Sequence, residues 1–486
     1  MKINIDPKAE LFEWGPIDGK LIYTDYFNVA FTEYANKVFI SWPDILWIGL
    51  KEKVTCIIDY AELRKSGERN FKAFILNDKK FKNNFIWWQK AVKSLLTFQK
   101  NISQKSLKKM SQEQLADCYD QWAKLFLDFW TIGELPELAG WGGEVILKKA
   151  LEKSVPEKYL STAFEKLFAL EELSFYQKSE LDLLKIGKFL NNKSVLENQL
   201  ENYQKNHFWI LNSYYHTKIL NKNYFKNELL NYSPKLRKEK IEELSDLPKK
   251  AMKEKNRIAK IFQLDKKTLK IAKRLSFCMW WQDSRKFYIF LANYYIDLFL
   301  KEFSSRFKIN FDDLHYYNCY EILDLAKKGK KIPTTEIKKR YNNLVVYYSK
   351  NYNSLKYVFG KEAAAVTSKF LNVKVDKNIA ELKGVVVSRG RTIKAIVKIL
   401  TSPSQADKLK EGEILVAPMT SPDYILAIKK ASAIITDVGG MTSHAAVVSR
   451  ELGIPCIAGT KIATKVLKDG DLVEVNTNNG IIKKLK

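Results

Sequence analysis

The chain has 486 residues, of which 46% are hydrophobic and 13% aromatic, and it carries a formal net charge of +27. This length allows about two to four domains with a large core, and the hydrophobic content excludes a disordered chain. The N-terminus lacks the basic and then apolar run of a signal peptide, and no window approaches about 18 consecutive apolar residues. We therefore expect a cytoplasmic protein without membrane contact.

The first two thirds of the chain are predicted to be mainly helical. Residues 1–85 should form a small mixed α/β part, in which KVTCIIDYAEL (53–63) begins with a β-branched run and ends in helix-favouring residues, predicting a short strand and then a helix. Residues 86–358 have helical apolar spacing almost throughout, which predicts a helical domain. The most apolar long pattern, residues 265–305, should form the centre of this domain.

Three segments of the helical region have more specific patterns. SQEQLADCYDQWAKLFLDFW (111–130) opens on Ser111 with a Gln three residues on, which predicts a helix with a capping box. TIGELPELAGWGG (131–143) should stop that helix and form a loop, because it is rich in Gly and Pro. SPKLRKEKIEELSDLPKKAMKEKNRIAKIF (233–262) is highly charged, which predicts a solvent-facing helix that is bent or broken near Pro248.

The pattern changes after about residue 360. Residues 359–380 are predicted to be a hinge or linker, and residues 381–486 a compact α/β domain. LKGVVVSRGRTIKAIVKIL (382–400) alternates like strands interrupted by Gly384 and Gly390. The short buried-strand patterns that follow are separated by helical segments, which is typical of an α/β domain. The predicted fold class is thus multidomain, with a large mainly α-helical N-terminal region and a C-terminal α/β domain.

One of the chain's four histidines lies in the segment TDVGGMTSHAAVVSRELGIPCIAGT (436–460). The glycine pair 439–440 permits unusual backbone geometry and close approach of a phosphate or partner. Thr442 or Ser443 can cap the helix that follows, which places His444 in the first turn. There, free N–H groups and the helix dipole favour an anion and bias the imidazole toward its neutral, nucleophilic form. The position suits a phosphohistidine.

This segment resembles the phosphohistidine (swivelling, or mobile) domain of the phosphoenolpyruvate-utilising enzymes, the family of phosphoenolpyruvate synthase, pyruvate phosphate dikinase and rifampicin phosphotransferase. The residues that match the family pattern are Gly439, Gly440, Thr442, Ser443, His444, Ala446, Arg450, Gly453 and Pro455. By this resemblance His444 accepts the phosphoryl group, and the hydroxyls of Thr442 and Ser443 contact it. Arg450 supports the loop or the phosphate.

The resemblance is weaker upstream, where the helical region is similar to the part that precedes the mobile domain in this family. The sequence shows no counterpart of the family's ATP-grasp domain, because it has no Gly-rich loop followed by a Lys and an acidic metal cluster. It shows no (β/α)₈ barrel pattern either. We therefore expect this chain alone to bind no cofactor, and ATP and Mg to be bound by a partner ATP-grasp protein.

Trp141 and Arg285 are the candidates for an acceptor pocket. Trp141 stands between glycines in a predicted loop, where packing constrains an aromatic side chain less. Arg285 and Asp283 stand in a helix otherwise predicted to be buried, so they either pair with neighbours or mark the polar wall of a site. No metal site is predicted, since the remaining histidines, His207, His216 and His315, lack ligand spacing and the five cysteines are far apart.

Three functions remain open from the sequence. The first is a phosphotransferase component that carries a phosphoryl group on His444 from an ATP-grasp partner to an unknown acceptor. The second is a phosphocarrier or regulatory protein, with the helical region as a docking surface. The third, a nucleic-acid-binding protein with a retired phosphohistidine domain, is disfavoured by the charge. Residues from Glu381 onward carry 16 basic and 10 acidic residues, which leaves +21 of the +27 spread evenly over the preceding 380.

Overall fold

The computed structural model describes residues 2–30, 34, 42–371, 379–420, 424–441 and 443–485. Over these ranges the chain is mainly helical, with one sheet near the N-terminus and a second, larger sheet in a strand-rich C-terminal part. The prediction of a mainly helical chain with such a C-terminal part is confirmed. None of the described helices is both long enough and apolar enough to cross a bilayer.

The strands of the described residues are β1 Leu11–Asp18, β2 Ile45–Leu50, β3 Lys53–Asp59, β4 Leu344–Ser349, β5 Ser354–Phe359, β6 Glu381–Lys383, β7 Val385–Ser388, β8 Ile393–Ile399, β9 Ile414–Ala417, β10 Ala433–Thr436, β11 Cys456–Ala458, β12 Leu472–Asn476 and β13 Ile481–Lys484. The helices are α1 Leu21–Val29, α2 Tyr60–Asn70, α3 Asp78–Gln99, α4 Gln104–Lys109, α5 Gln112–Gly133, α6 Leu135–Leu151, α7 Glu157–Phe168, α8 Phe175–Ile186, α9 Lys193–His207, α10 Lys222–Leu230, α11 Pro234–Ile261, α12 Lys266–Phe307, α13 Phe311–Leu314, α14 Cys319–Lys328, α15 Thr334–Asn342, α16 Gly360–Leu371, α17 Ile425–Ile428, α18 His444–Leu452 and α19 Ala463–Val466.

The first sheet joins the two ends of the helical region. Its strand order is β1-β3-β2-β4-β5, and all its pairs are antiparallel. The strand-then-helix prediction for residues 53–63 is confirmed by β3 and α2. β4 and most of β5, however, fall in residues 86–358, for which the sequence predicts a helical domain. LVVYYS is buried at every position, so it has no period of two that would distinguish a strand from a buried helix.

The centre of the helical region is α12, a single helix of 42 residues that is buried along much of its length. α5 begins with the predicted capping box, because the Ser111 side chain accepts from the Gln114 N–H and the Gln114 side chain accepts from the Ser111 N–H. The charged segment 233–262 forms α11, which is mostly exposed and runs through Pro248 as one helix. These helices are confirmed, and the predicted break at Pro248 is absent.

The loop predicted for residues 131–143 is wrong. After α5 the chain turns at Glu134 and continues as α6, which includes the AGWGG segment. The glycines serve close packing of α6 against α2. A Cβ atom on Gly142 would lie 1.9 Å from the Glu68 backbone nitrogen, and one on Gly67 would lie 2.5 Å from the Gly142 nitrogen. A glycine inside a helix costs about 1 kcal/mol relative to alanine. Here the close packing of α2 against α6, which no larger residue permits, offsets this cost.

The predicted hinge begins with regular structure. α16 occupies residues 360–371 and buries Ala363, Val366 and Phe370 against one face of the first sheet. The opposite face of that sheet packs on α2 and α6. The first part of the segment 359–380 is thus a helix that packs on the first sheet. Residues 372–378 of this segment lie outside the described residues.

The second sheet has the order β6-β13-β12-β8-β9-β10-β11-β7. β8, β9, β10 and β11 are parallel neighbours, and antiparallel pairs extend the sheet on both sides. Successive side chains enter different cores, with Leu415 and Ile434 on the face that α18 covers and Val416 and Ile435 on the other. This arrangement agrees with the α/β pattern predicted for the C-terminal part.

Polar contacts connect the C-terminal domain to the rest of the chain. The Lys53 ammonium donates to the Thr401 carbonyl oxygen at 2.8 Å, and the Ser402 hydroxyl donates to the Asp18 carboxylate. A further pair joins Lys429 to Glu180 at 3.3 Å. These contacts hold the end of the second sheet that carries the candidate site against the helical region.

Candidate functional site

The candidate site forms where β9 and β10 end. Because these strands are parallel, the residues that follow them meet at one edge of the sheet. Thr420 follows β9, and the loop after β10 leads directly into α18. Ser443 caps this helix, accepting a hydrogen bond from the Ala446 N–H at 3.3 Å, so His444 is the first helical residue, as predicted. The other predicted cap, Thr442, lies outside the described residues.

Gly439 and Gly440 shape the loop in different ways. Gly439 has a φ of +130°, and a Cβ atom there would lie 2.8 Å from the Ser443 Oγ. Gly440 has no atom within 4 Å of such a Cβ position, so the backbone beside it is open. The loop therefore requires glycine at position 439, because the backbone is in a region that side chains disfavour and the cap lies directly against it.

Arg450, a residue of α18, holds the same loop through hydrogen bonds to backbone carbonyls. Its Nη2 donates to the Met441 carbonyl oxygen at 2.7 Å, and its Nε donates to the Ala446 carbonyl oxygen at 2.8 Å. The guanidinium also lies 5.0 Å from the centre of the Phe168 ring in the helical region. The resemblance implies that Arg450 supports either the loop or the phosphate, and in this structure its hydrogen bonds go to the loop and to α18.

His444 is held by one nitrogen. Its Nδ1 lies 3.0 Å from the Thr420 Oγ1, whereas Nε2 has no hydrogen bond to a described residue. Burial, and secondarily the ammonium of Lys286, lower the pKa of His444 well below its usual value. The imidazole is thus neutral near pH 7. In the tautomer that carries its proton on Nδ1 and donates it to Thr420, Nε2 keeps a lone pair for nucleophilic attack.

His444 lines a cavity between the C-terminal domain, the first sheet, α6 and α12. The cavity has a volume of about 140 Å³, and the same cavity is lined by Trp141 and Arg285. The structure thus brings together the three side chains that the sequence proposes for a phosphoryl carrier and an acceptor pocket. Seven of the 22 lining residues are aromatic, namely Phe12, Trp14, Phe27, Trp42, Trp47, Trp141 and Tyr214. A volume near ~150 Å³ is enough for a benzene-sized molecule.

The polar wall of the cavity is an ion-pair cluster. Arg285 Nη1 lies 2.8 Å from the Glu134 Oε1, and Arg285 Nη2 lies 3.0 Å from the Glu137 Oε2. Burial raises the pKa of Glu134 to about 8, although Arg285 opposes this shift. The sequence left open whether Arg285 pairs with neighbours or marks the polar wall of a site. In the structure it does both, because it pairs with two acids and also lines the cavity.

Three polar residues of this cavity that act on His444 or Arg285 were not predicted as site residues, namely Thr420, Glu137 and Lys286. Thr420 had a usable signal, since it follows a predicted buried strand and the ends of parallel strands meet. Glu137 stood in the segment interpreted as a loop. Lys286 is adjacent to Arg285 in sequence, but no pattern distinguishes it from the chain's many other lysines.

The other histidines lie elsewhere. His315 is buried, with Nε2 3.2 Å from both the Asp297 Oδ1 and the Tyr23 hydroxyl. His207 stacks on Tyr203 with ring centroids 4.0 Å apart. The described cysteines are all free thiols. Neither His315 nor His207 lines the cavity that contains His444, whereas the buried Cys56 does.

A histidine in the first turn of a helix, behind a glycine pair and a capping hydroxyl, is the arrangement that the sequence motif predicts. Residues 409–480 match the family model for the PEP-utilising enzyme, mobile domain. The C-terminal domain therefore belongs to the phosphoenolpyruvate-utilising enzyme family, as its motif predicts.

Several relatives are phosphoenolpyruvate synthases. The chain is 54% identical over 101 residues to a probable phosphoenolpyruvate synthase of Archaeoglobus fulgidus, which is 21% of this chain and 13% of that protein. It is 42% identical over 173 residues to the phosphoenolpyruvate synthase of Pyrococcus furiosus, covering 34% and 20%. With that of Pseudomonas aeruginosa it shares 34% identity over 167 residues, covering 33% and 20%. The chain thus spans about a fifth or less of the length of these relatives. Their names support a phosphotransferase family for the part of the chain that they match.

Proposed function

We propose that this chain is a phosphotransferase component, which carries a phosphoryl group on His444 from a separate ATP-grasp protein to an acceptor in the cavity lined by Trp141 and Arg285. The observation that carries the proposal is the placement of His444, whose neutral imidazole begins α18 and lines an aromatic cavity. A phosphocarrier that only passes phosphate to another protein needs no such cavity.

Two transfers follow from this geometry. In the first, the His444 Nε2 lone pair forms the N–P bond as the bond to the donor oxygen breaks, and the ring keeps its Nδ1 proton, which Thr420 can accept. In the second, the acceptor oxygen forms a bond to phosphorus, and the electron pair of the N–P bond returns to Nε2. Free N–H groups at the start of α18 stabilise the phosphoryl group between the two transfers.

The donor belongs to the partner in this proposal. ATP and Mg are bound by the ATP-grasp protein, and this chain supplies the histidine and the acceptor cavity. Because His444 faces the cavity in this structure, the C-terminal domain has to leave the helical region to meet the donor. The polar contacts through Ser402 and Lys429 suit such a reversible interface, since interfaces of this kind are modest and breakable.

The proposal is tested by intact-mass analysis after incubation with ATP, Mg²⁺ and a candidate ATP-grasp partner. We expect one added phosphoryl group that is labile in acid, stable in base and absent from His444→Ala. Without the partner, neither phosphorylation nor ATP hydrolysis is expected. A label that survives acid, or that persists in His444→Ala, would overturn the proposal.

A further inference from the structure

The cavity contains a second cationic side chain besides Arg285, that of Lys286. It stands on α12 next to Arg285 and lines the same cavity as His444. Burial lowers the pKa of Lys286, and the charges of Asp283 and Glu137 oppose this shift, but the side chain forms no salt bridge with a described residue. Its charge also reaches His444, where it is the second cause of the lowered pKa. A partly buried ammonium without a counter-ion is costly unless an anion joins it.

The cavity also contains a carboxylate, Glu137, that uses only one of its two oxygens in a hydrogen bond to a described residue. Its Oε2 accepts from Arg285 Nη2 at 3.0 Å, and its Oε1 has no hydrogen bond to a described residue. The carboxylate is anchored at one oxygen and lines the cavity with the other available. A carboxylate in that arrangement can accept a proton from a hydroxyl group placed beside it.

From these two groups we infer that the acceptor is an uncharged hydroxyl compound with an aromatic or apolar body, that Glu137 is its general base, and that Lys286 binds the phosphoryl group during transfer. The inference rests on the proposed function of His444. The hydroxyl oxygen bonds to phosphorus while its proton passes to the Glu137 Oε1. The electron pair of the N–P bond returns to the His444 Nε2, and a phosphate ester leaves.

The charges of the cavity favour this class over a carboxylic acid. Arg285 is already held by Glu134 and Glu137, and a dianionic phosphoryl group on His444 would occupy Lys286. An acceptor carboxylate would therefore find no free cation among the described lining residues, and it would stand close to Glu137. The aromatic wall, by contrast, suits an apolar body.

The charges also determine on which side of His444 the transfer takes place. His444 lines a second cavity, on the side of α8 and α11, whose acids are Glu180, Glu228, Glu243 and Asp283 against the cations Lys240 and Lys429. That side is net negative and disfavours a phosphoryl group. The cavity with Lys286 and Arg285 is therefore the side on which the charged transfer is stabilised.

The test uses the full chain, phosphorylated on His444 with phosphoramidate and followed by ³¹P NMR. Benzyl alcohol and 4-methylphenol are the uncharged hydroxyl probes, and benzoate and pyruvate are the anionic ones. We expect the uncharged probes to shorten the lifetime of phosphohistidine and to yield phosphate esters by mass spectrometry. Transfer to the carboxylates at an equal or higher rate, or no ester from either hydroxyl probe, overturns the inference.

Variants separate the two roles. Glu137→Gln keeps a side chain that can accept from Arg285 but removes the base, so ester formation should fall by about 100-fold. Lys286→Met should reduce transfer by about 100-fold and Lys286→Arg should restore part of it. Lys286→Met should also raise the pKa of His444 in an NMR titration, because the ammonium is the second cause of its lowered pKa.

The controls are Lys273→Met, at an exposed position of α12, and Glu152→Gln, at the exposed end of α6. Both should transfer at the rate of the unmodified chain. If Glu137→Gln or Lys286→Met also transfers at that rate, the assigned role is wrong. If His444 is phosphorylated by neither phosphoramidate nor the ATP-grasp partner, the proposed function itself fails, whereas phosphorylation without transfer to the hydroxyl probes sinks only the inference.

Discussion

His444 combines two properties that oppose each other in water, namely a neutral ring and a position that welcomes negative charge. Burial and the nearby Lys286 keep the proton off the ring, while the N-terminus of α18 and the same lysine favour a phosphoryl group once it is attached. The cation thus acts twice, first by keeping the nucleophile free and then by neutralising what the nucleophile has bound.

The lowered pKa of His444 predicts how its reactivity depends on pH. An imidazole with a pKa of about 6.5 loses most of its free base between about pH 7.5 and about pH 5.5, whereas His444 should stay neutral over this range. Relative to free imidazole in the same buffers, its phosphorylation by phosphoramidate should therefore rise as the pH falls. A constant ratio, measured by ³¹P NMR, would show an unperturbed histidine.

The same shift has a consequence for stability. Between the pKa of folded His444 and about 6.5, the unfolded chain binds a proton that the folded chain does not, so the free energy of unfolding falls as the pH drops through this window. His444→Gln lacks this contribution. We predict that denaturant midpoints of the unmodified chain decrease more than those of His444→Gln between about pH 7 and about pH 5. Equal decreases would contradict the burial of a neutral ring.

Thr420 positions the imidazole, and its loss should be visible without loss of folding. Thr420→Val keeps the shape of the side chain but removes the oxygen that lies 3.0 Å from Nδ1. A hydrogen bond of about 1 kcal/mol corresponds to roughly a fivefold effect, so we expect the phosphorylation rate of His444 to fall by about fivefold or more. Thr335→Val, at an exposed position of α15, is the control, and an unchanged rate in Thr420→Val would refute the role.

At the scale of elements, the crossing of α2 and α6 forms one wall of the cavity. Gly142 allows the two backbones to touch, and its neighbour Trp141 is thereby presented to the cavity from inside a helix. The wall is rigid because it is helical, whereas the sequence had indicated a loop. An aromatic side chain on a rigid helix is better suited to shape a pocket than one on a loop.

Substitution of the two neighbouring glycines should have unequal effects. Gly142→Ala places a methyl group against the Glu68 backbone and must separate the helices, which should lower the free energy of unfolding by about 1–3 kcal/mol or more. Gly140→Ala meets only the amide end of Gln282 at 3.0 Å and gains helix propensity, so its effect should be small. Chemical denaturation of the two variants checks this, and similar midpoints would show that the close crossing does not matter.

The elements also show what the sequence could and could not predict. The capping box of α5 and the loop before α18 are local, so the residues that define them are a few positions apart. β4 pairs with β2 from the other end of the region, and the glycines of α6 are explained only by α2. Lys286 and Thr420 likewise reach His444 through tertiary structure. Sequence patterns predict features that are determined by residues close together in the chain. The pairing of β4, the packing of α6 and the contacts of His444 depend instead on residues that only folding brings together.

At the scale of the whole molecule, a reactive histidine must meet two sites, and the contacts of the C-terminal domain determine how often it faces the cavity. The Ser402 hydroxyl donates to the Asp18 carboxylate across the boundary, beside the bond from Lys53 to the Thr401 carbonyl. Ser402 and Asp18 are both well buried. A change in charge at this contact should therefore shift the domain without touching the chemistry.

We predict that Ser402→Asp releases the C-terminal domain. It sets a second carboxylate against Asp18, and like charges brought together at an interface cost several kcal/mol, so the population that faces the cavity should fall by tenfold or more. Small-angle scattering should then report a larger radius of gyration, and transfer from phosphorylated His444 into the cavity should slow, while phosphorylation by phosphoramidate persists or increases. Asp18→Asn in the same chain removes the repulsion and should restore both readouts.

Ser368→Asp, at an exposed position of α16, adds the same charge without facing Asp18 and should leave scattering and transfer unchanged. The rescue by Asp18→Asn distinguishes a loss of docking from local damage, because a misfolded C-terminal domain would not recover when a residue of the helical region is changed. Unaltered scattering in Ser402→Asp, together with normal transfer, would mean that the contact does not control the domain, and a carrier that visits two sites would then need another point of release.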